Sequence, residues 1–315
     1  MVGILDSRTR DRVEVRLNTR RRDLRGTVFV AALQFALLLA LLVLTVLLVD
    51  AVRDGWGILG SRLGSFLSGT LRSGSADPTL GVHQGLVGTF WLAVFVATLA
   101  FPVGIGAAVY LVEYAPDNRF TRFVELNIRN LAGVPSVVYG LLGLFLFVKG
   151  LDGFTGGRTL ASAGLTLAIL VMPIVVITAS EAIRAVPAGY SEAALGLGAT
   201  RWDAIRTQVL PAAAPGILTG TLLSMSRAVG EAAPLILVGA VTGRLGRNPG
   251  LLDTDQITSK FTAMPIVITQ WVKNSGRDQG FSTAAAAAIV VLLVFVLALN
   301  SVAIVLRNRF ESRSR

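Results

Sequence analysis

The sequence contains no cysteine, which excludes disulfides and thiolate metal sites, and its single histidine, His83, excludes a histidine-rich one. Lysine is almost absent too: Lys149, Lys260 and Lys273 are the only three in 315 residues. No G-x-x-x-x-G-K-[ST] loop occurs, and the Gly104/Gly106 and Gly196/Gly198 pairs lack a third glycine at dinucleotide-binding spacing. The chain therefore carries no nucleotide-binding motif, and any ATP it depends on is bound by another subunit. Charge is scarce as well, at 15% of residues against 53% hydrophobic and a mean hydropathy of +0.67. A soluble domain carries about 25% charged residues, so the implied solvent is a membrane.

The excess charge of +10 is arginine gathered at the ends, eight within the first 25 residues and four within the last nine. Such flanks set orientation and touch anionic lipid, and they do not make a nucleic-acid footprint. Intervals free of charge (26–49, 78–112, 130–148, 159–180, 207–226 and 279–306) mark six candidate spans. At 1.5 Å per residue they predict helices near 27–50, 86–111, 131–149, 160–180, 215–243 and 282–306. The first is too long for a signal peptide's apolar core and is read as a permanent helix. With the N-terminus cytoplasmic, inside segments carry 18 Lys and Arg and outside segments 10. Both termini are accordingly expected inside.

The expected organisation is a basic N-terminal segment over 1–26, a first transmembrane helix over 27–50, and an extracytoplasmic loop over 51–85. A core over 86–306 and a basic tail over 307–315 follow. Small residues in "PVGIGAAV" (102–109), "GVPSVVYGLLG" (133–143) and Ala284 to Ala288 suit close helix packing. Pro102, Pro135 and Pro173 suggest kinks.

Between spans four and five, "EAIRAVPAGYSEAALGLGATRWDAIRTQVLPAAAPG" is too long for a plain connection. Its pattern predicts two short helices, the first capped by Ser191 and ending near Gly196 and Gly198. The second is capped by Thr200 with Asp203, places Trp202, Ile205 and Val209 on one face, and closes at Pro211. Its charges from 184 to 216 sum to only +1, so a protein partner suits it better than a phosphate backbone.

"EAALGLGATRWDAIRTQVLP" resembles the EAA loop of ABC importer permeases. Glu192-Ala193-Ala194, then Gly198, then Leu210-Pro211 stand at the family's spacing, while Gln208 replaces its usual aliphatic residue. The resemblance continues through "PVGIGAAVYLVEYA", "LAGVPSVVYGL", "SRAVGEAAPLILVGA" and "MPIVITQW", which together look like the A-type permease subunit of phosphate-specific importers. It implies an all-α membrane protein with type I ABC importer permease architecture in a bacterial plasma membrane. It also implies a C-type permease partner, a cytoplasmic ATPase dimer seated on the loop 181–214, and an extracytoplasmic phosphate-binding protein. On this resemblance Glu192, Ala193, Ala194 and Gly198 couple to the ATPase, and the chain itself is neither an enzyme nor a cofactor protein. A permease for another oxyanion (phosphonate, sulfate or molybdate) and a non-transporting membrane scaffold or sensor are the competing readings.

One pair resists the apolar pattern. Arg227 and Glu231 lie one helical turn apart in "SMSRAVGEAAPLILVGA", where a charge costs about 2.5–3.5 kcal/mol on insertion scales. Gly220 and Ser224 extend their face as a small polar stripe. Either the pair is a structural salt bridge, or Arg227 meets a passing oxyanion while Glu231 holds it, with Ser224 beside them.

Overall fold

The computed structural model describes residues 24–243, 245, 246 and 248–311. The basic segment expected over 1–26 lies outside the described residues through position 23, as does the end of the tail from 312. Among the described residues ten helices of six residues or more carry the fold: α1 (Leu24–Ser68), α2 (His83–Tyr114), α3 (Arg119–Ala132), α4 (Ser136–Gly150), α5 (Leu160–Arg184), α6 (Gly189–Gly196), α7 (Arg201–Gly230), α8 (Ala233–Val238), α9 (Met264–Asn274) and α10 (Gly280–Glu311). Among the described residues five helices are long and apolar enough to cross a membrane. The pair α3 and α4, bent by 99°, makes a sixth if taken as one span.

The chain divides at Asp50 into two units. In the N-terminal unit the described residues form the first part of α1, whose apolar side chains from Val28 to Val49 are exposed. The helix does not stop at the expected position 50 but continues to Ser68, with one non-helical residue at Arg62. Asp50, Arg53 and Asp54 end the apolar run without ending the helix, because nothing between 51 and 68 removes a backbone donor.

In the unit from Ala51 onward, α5 is the central element. Leu160, Leu167 and Val171 on α5 are buried with Leu92, Val96 and Ala100 of α2, Tyr139 of α4, and Leu235 and Val238 of α8. At one end of α5, Ala179 and Ile183 pack with Ala108 of α2 and with Ile205, Val209, Ala213 and Ile217 of α7. A second core joins Ile58 and Phe66 of α1 to Met264 and Trp271 of α9 and to the buried Ala284, Ala285, Ala287 and Ala288 of α10. The small residues act here as expected: a Cβ on Gly55 would stand 2.7 Å from the Ala287 backbone nitrogen.

Proline is absorbed in two ways. Pro102 and Pro211 each lie two residues after a π-helical turn, Val96–Ala100 and Ile205–Val209. The second turn bonds the Leu210 amide to the Ile205 carbonyl, so Pro211 enters at the start of a new α-helical register and costs no established bond. The expected helix end at Pro211 is thus corrected, and α7 runs unbroken from Arg201 to Gly230. Pro135 instead separates α3 from α4, where a single kinked span over 131–149 was expected.

The end of α1, the start of α2 and the stretch between them are tied to distant parts of the chain. Asn248 donates to the Ser68 carbonyl, Gln84 to that of Leu245, Trp91 to that of Leu251, and His83 Nε2 lies 2.8 Å from the Pro249 carbonyl. Ser75 donates to Asp278 through its hydroxyl at 2.6 Å and its amide at 2.9 Å. The Ser75 hydroxyl, then its amide, hold the Asp278 carboxyl below the usual carboxylate range. Since the folded pKa lies below the unfolded value of about 3.9, the tether contributes at neutral pH and is lost as pH falls through the folded pKa. Asp278→Asn should therefore reduce hydrogen-exchange protection of residues 70–80 at pH 7, a loss the wild type reaches only on acidification below about pH 4. Equal protection in both proteins at pH 7 would contradict the tether.

Candidate functional site

The Arg227–Glu231 pair straddles a helix break. Pro234 cannot donate a backbone bond and its ring crowds the carbonyl of residue 230, which favours a break here, whereas α5 and α7 continue through Pro173 and Pro215. Accordingly α7 ends at Gly230, Glu231 is extended (φ −77°, ψ 126°), and Pro234 begins the short α8. The continuous span expected over 215–243 is therefore two segments. The fourth helix packs its Gly140 against α8, where an added Cβ would lie 2.7 Å from Pro234 Cα. Two interrupted segments, α4 and α8, thus meet face to face beside the core.

The break changes the electrostatics of the pair. On one continuous helix, arginine before glutamate is the less favourable order. Here Arg227 lies in the last turn of α7, and Glu231 lies just before the first turn of α8. Each charge complements the helix end beside it. Arg227 Nε is 3.5 Å from Glu231 Oε1, with 48% of the arginine side chain and 20% of the glutamate side chain exposed. The glutamate thus engages Nε at long range and leaves much of the guanidinium open. Ser224 is buried, and its hydroxyl donates to the Gly220 carbonyl at 2.8 Å within its own helix. The structure therefore brings Arg227 and Glu231 together and turns Ser224 inward. A polar link absent from the sequence reading joins Ser226 to Asn300 Oδ1 of α10 at 2.8 Å. An amide inside a long apolar run was its available signal.

At the other end of α5 lies the segment 185–200. The sixth helix contains Glu192, Ala193 and Ala194, and none of its residues is buried. Its cap is not Ser191, which sits inside the helix and donates to the Ala188 carbonyl. Thr200 does cap the next helix: its oxygen accepts from the Asp203 amide at 3.2 Å and donates to the Asp203 carboxylate at 2.5 Å. Ile205 and Val209 are buried as expected, while Trp202, in the first turn, remains half exposed. Gly198 makes the turn with φ +87° and has nothing within 4 Å of the place a Cβ would take. Beside it, Leu197 is 91% exposed. An open, largely apolar hollow of about 590 Å³ includes Tyr190, Ala193, Ala194, Leu197 and Thr207 in its lining. An eight-residue helix is too short to hold itself in isolation, and this one carries an open apolar hollow on its exposed side. The surrounding supports, the Arg184–Glu125 ion pair between α5 and α3 and Arg201 at 5.1 Å from the Tyr114 ring centroid, link residues far apart in sequence and left no local signal.

Residues 100–315 match the family described as binding-protein-dependent transport system inner membrane component. The chain belongs to that family: it is an ABC importer permease. The permease is 33% identical to the probable ABC transporter permease protein YqgI of Bacillus subtilis (strain 168), over 75% of this chain and 81% of that protein. It is also 33% identical to phosphate transport system permease protein PstA 1 of Mycobacterium tuberculosis (strain ATCC 25618 / H37Rv), over 94% of this chain and 92% of that one. An inward-facing structure of the MetNI methionine ABC transporter superposes with a TM-score of 0.55 at 16% identity, covering 73% of the permease and 95% of that chain. That likeness establishes the type I importer fold. The permease is a multi-pass protein of the bacterial inner membrane.

Because only the positive φ resists a side chain at Gly198, substitution there should follow backbone tolerance. Gly198→Asn should cost a few tenths of a kcal/mol, and Gly198→Val about 1–2 kcal/mol, read as lost hydrogen-exchange protection in α6. Equal protection in the two variants would show that the turn does not require the left-handed conformation.

Proposed function

We propose that this permease forms half of the membrane pathway of an ATP-driven importer of inorganic phosphate. The observation that carries the reading is Arg227, held half open at a helix break in an otherwise uncharged run. A planar, permanently charged guanidinium matches the oxygens of a tetrahedral oxyanion, and Glu231 weakens its grip enough for release. The similarity to a phosphate permease over 94% of the chain supports phosphate over phosphonate, sulfate or molybdate.

In this reading both termini and residues 181–214 are cytoplasmic, and 51–85 and 244–281 are extracytoplasmic. The two ends of α5 support opposite faces for residues 181–214 and 244–281. Leu160, at one end of α5, donates its amide to the Ser259 carbonyl, while Arg184 at the other end leads into α6, roughly 37 Å away along the axis. A cytoplasmic ATPase dimer seats on Glu192, Ala193, Ala194 and Gly198, and a C-type permease completes the pathway. An extracytoplasmic phosphate-binding protein delivers the substrate. ATP hydrolysis takes place in the partner, and this chain makes and breaks no covalent bond. The basic ends rest against anionic lipid.

Two sets of variants test the two ends. Glu192→Lys reverses a charge on an exposed helix and should reduce ATPase co-purification and phosphate uptake together, with membrane insertion retained. Arg227→Gln should abolish labelled-phosphate uptake while the ATPase still co-purifies, and Arg227→Lys should restore only part of it. Exchange of the pair, Arg227→Glu with Glu231→Arg, should also fail, because it moves the cation across the break and opposes both helix dipoles. Full uptake by the exchanged protein would make the pair a salt bridge alone and remove it from the pathway.

A further inference from the structure

A second polar hollow lies away from the helix break, on the α5 end opposite α6. It has a volume of about 200 Å³ and sits between the stretch after α1, the stretch after α8, and α9. Arg72, Ser73, Thr242, Thr262, Gln270 and Asn274 supply its polar lining, and no carboxylate is among the described lining residues. The two strongest features are a cation and an unsatisfied hydroxyl.

Thr262 is 1% exposed, and its Oγ1 has no hydrogen-bond partner among the described residues. Leaving a buried hydroxyl unpaired costs about 1–3 kcal/mol. The backbone around it is fixed on both sides: the Phe261 carbonyl accepts from Val241 at 2.8 Å, and the Met264 amide donates to Thr89 Oγ1 at 2.9 Å. The Thr262 carbonyl also presses so closely on Gly88 that a Cβ there would overlap it. The hydroxyl is thus positioned by its neighbours and satisfied by none of them.

Arg72 is anchored on one edge only. Its Nε donates to Thr79 Oγ1 at 2.9 Å and lies 3.5 Å from Asp77 Oδ2. The terminal amino groups make no bond among the described residues and remain available. Gln270 donates to Asn274 Oδ1 at 3.4 Å, which leaves the Asn274 amino group as a further donor. A guanidinium fork, the Thr262 hydroxyl and an amide supply donors to the hollow, and the nearest carboxylate, Asp77, stands on the Nε edge of Arg72 rather than among the described lining residues. We infer that this hollow binds a tetrahedral oxyanion, received on the face opposite α6 before it reaches Arg227; its place on the import route rests on the phosphate reading above.

Binding of inorganic phosphate to the purified full-length chain in lipid nanodiscs, measured in an Arg227→Gln background to silence the break, tests the hollow directly. Saturable binding is expected, weakened about tenfold or more by Arg72→Gln, partly recovered by Arg72→Lys, and weakened several-fold by Thr262→Val. Thr262→Val removes only a hydroxyl that bonds to nothing among the described residues, so it leaves the fold intact and would be silent if the hollow held no anion. Absence of saturable binding, or equal affinity in the Arg72→Gln and Thr262→Val proteins and their parent, overturns the inference. Chain-dependent phosphate uptake in cells separates the two proposals. Uptake with unchanged binding removes the hollow and leaves import standing. Binding lost in both variants without chain-dependent uptake supports the hollow and removes phosphate as cargo.

Discussion

At membrane depth no water is available to satisfy a helix end, so every break in a spanning helix must be compensated by the protein itself. That constraint organises this permease. The break after Gly230 exposes the C-terminal carbonyls of α7 and the first amides of α8 at adjacent positions. The charge of Arg227 complements the first and that of Glu231 the second electrostatically, with no side-chain hydrogen bond capping α8. The break between α3 and α4 is handled differently, by the Tyr139 hydroxyl donating to the Leu131 carbonyl at 3.0 Å across the bend. The two interrupted segments then pack on each other through Gly140 and Pro234, and both lean on the uninterrupted α5. A half-open cation arises where an unbroken helix would have had no reason to keep one.

The same central helix relates the two ends of the molecule. At one end it is bonded through Leu160 and Ala161 to the Ser259 and Ile257 carbonyls, in the region that also holds the Arg72 hollow. At the other it is paired through Arg184 to α3 and packed through Ile183 on the start of α7. The seventh helix itself begins beside the exposed α6 and ends at the Arg227 break, continuous despite Pro211 and Pro215. The turn 197–200 joins α6 to α7, and α7 carries its π-helical turn over Ile205–Val209 before reaching the break.

Much of this was legible in the sequence. Intervals without charge located the spans because charge is what the membrane excludes, and α5 matches its expectation closely. The capping pair Thr200 and Asp203 was legible because both partners are local. The errors share a cause as well. Asp50, Arg53 and Asp54 end an apolar interval, yet a helix needs backbone donors rather than apolar side chains, and α1 continues through them. The break at Glu231 is flanked by residues as apolar as a span, so hydropathy could not reveal it, although Pro234 carried the signal. Ser191 has the residue type of a cap, but the helix begins earlier, at Gly189, and the hydroxyl is used within its first turn. Arg72 is anchored locally by Asp77 and Thr79, but the hollow that joins it to Thr262 and Asn274 draws on segments nearly two hundred positions apart and had no local signature.

Because the chain has no native cysteine, a single engineered thiol can report on the break. Gly230→Cys places one next to Arg227, where an added Cβ has nothing within 4 Å and the arginine is retained. The measurement is the rate of its modification by a water-soluble methanethiosulfonate in the assembled, ATP-supplied transporter, with and without phosphate. The account predicts that phosphate slows the reaction, that sulfate does not, and that adding Arg227→Gln removes the protection. A rate indifferent to phosphate in the arginine-containing protein would contradict the claim that the oxyanion passes this break.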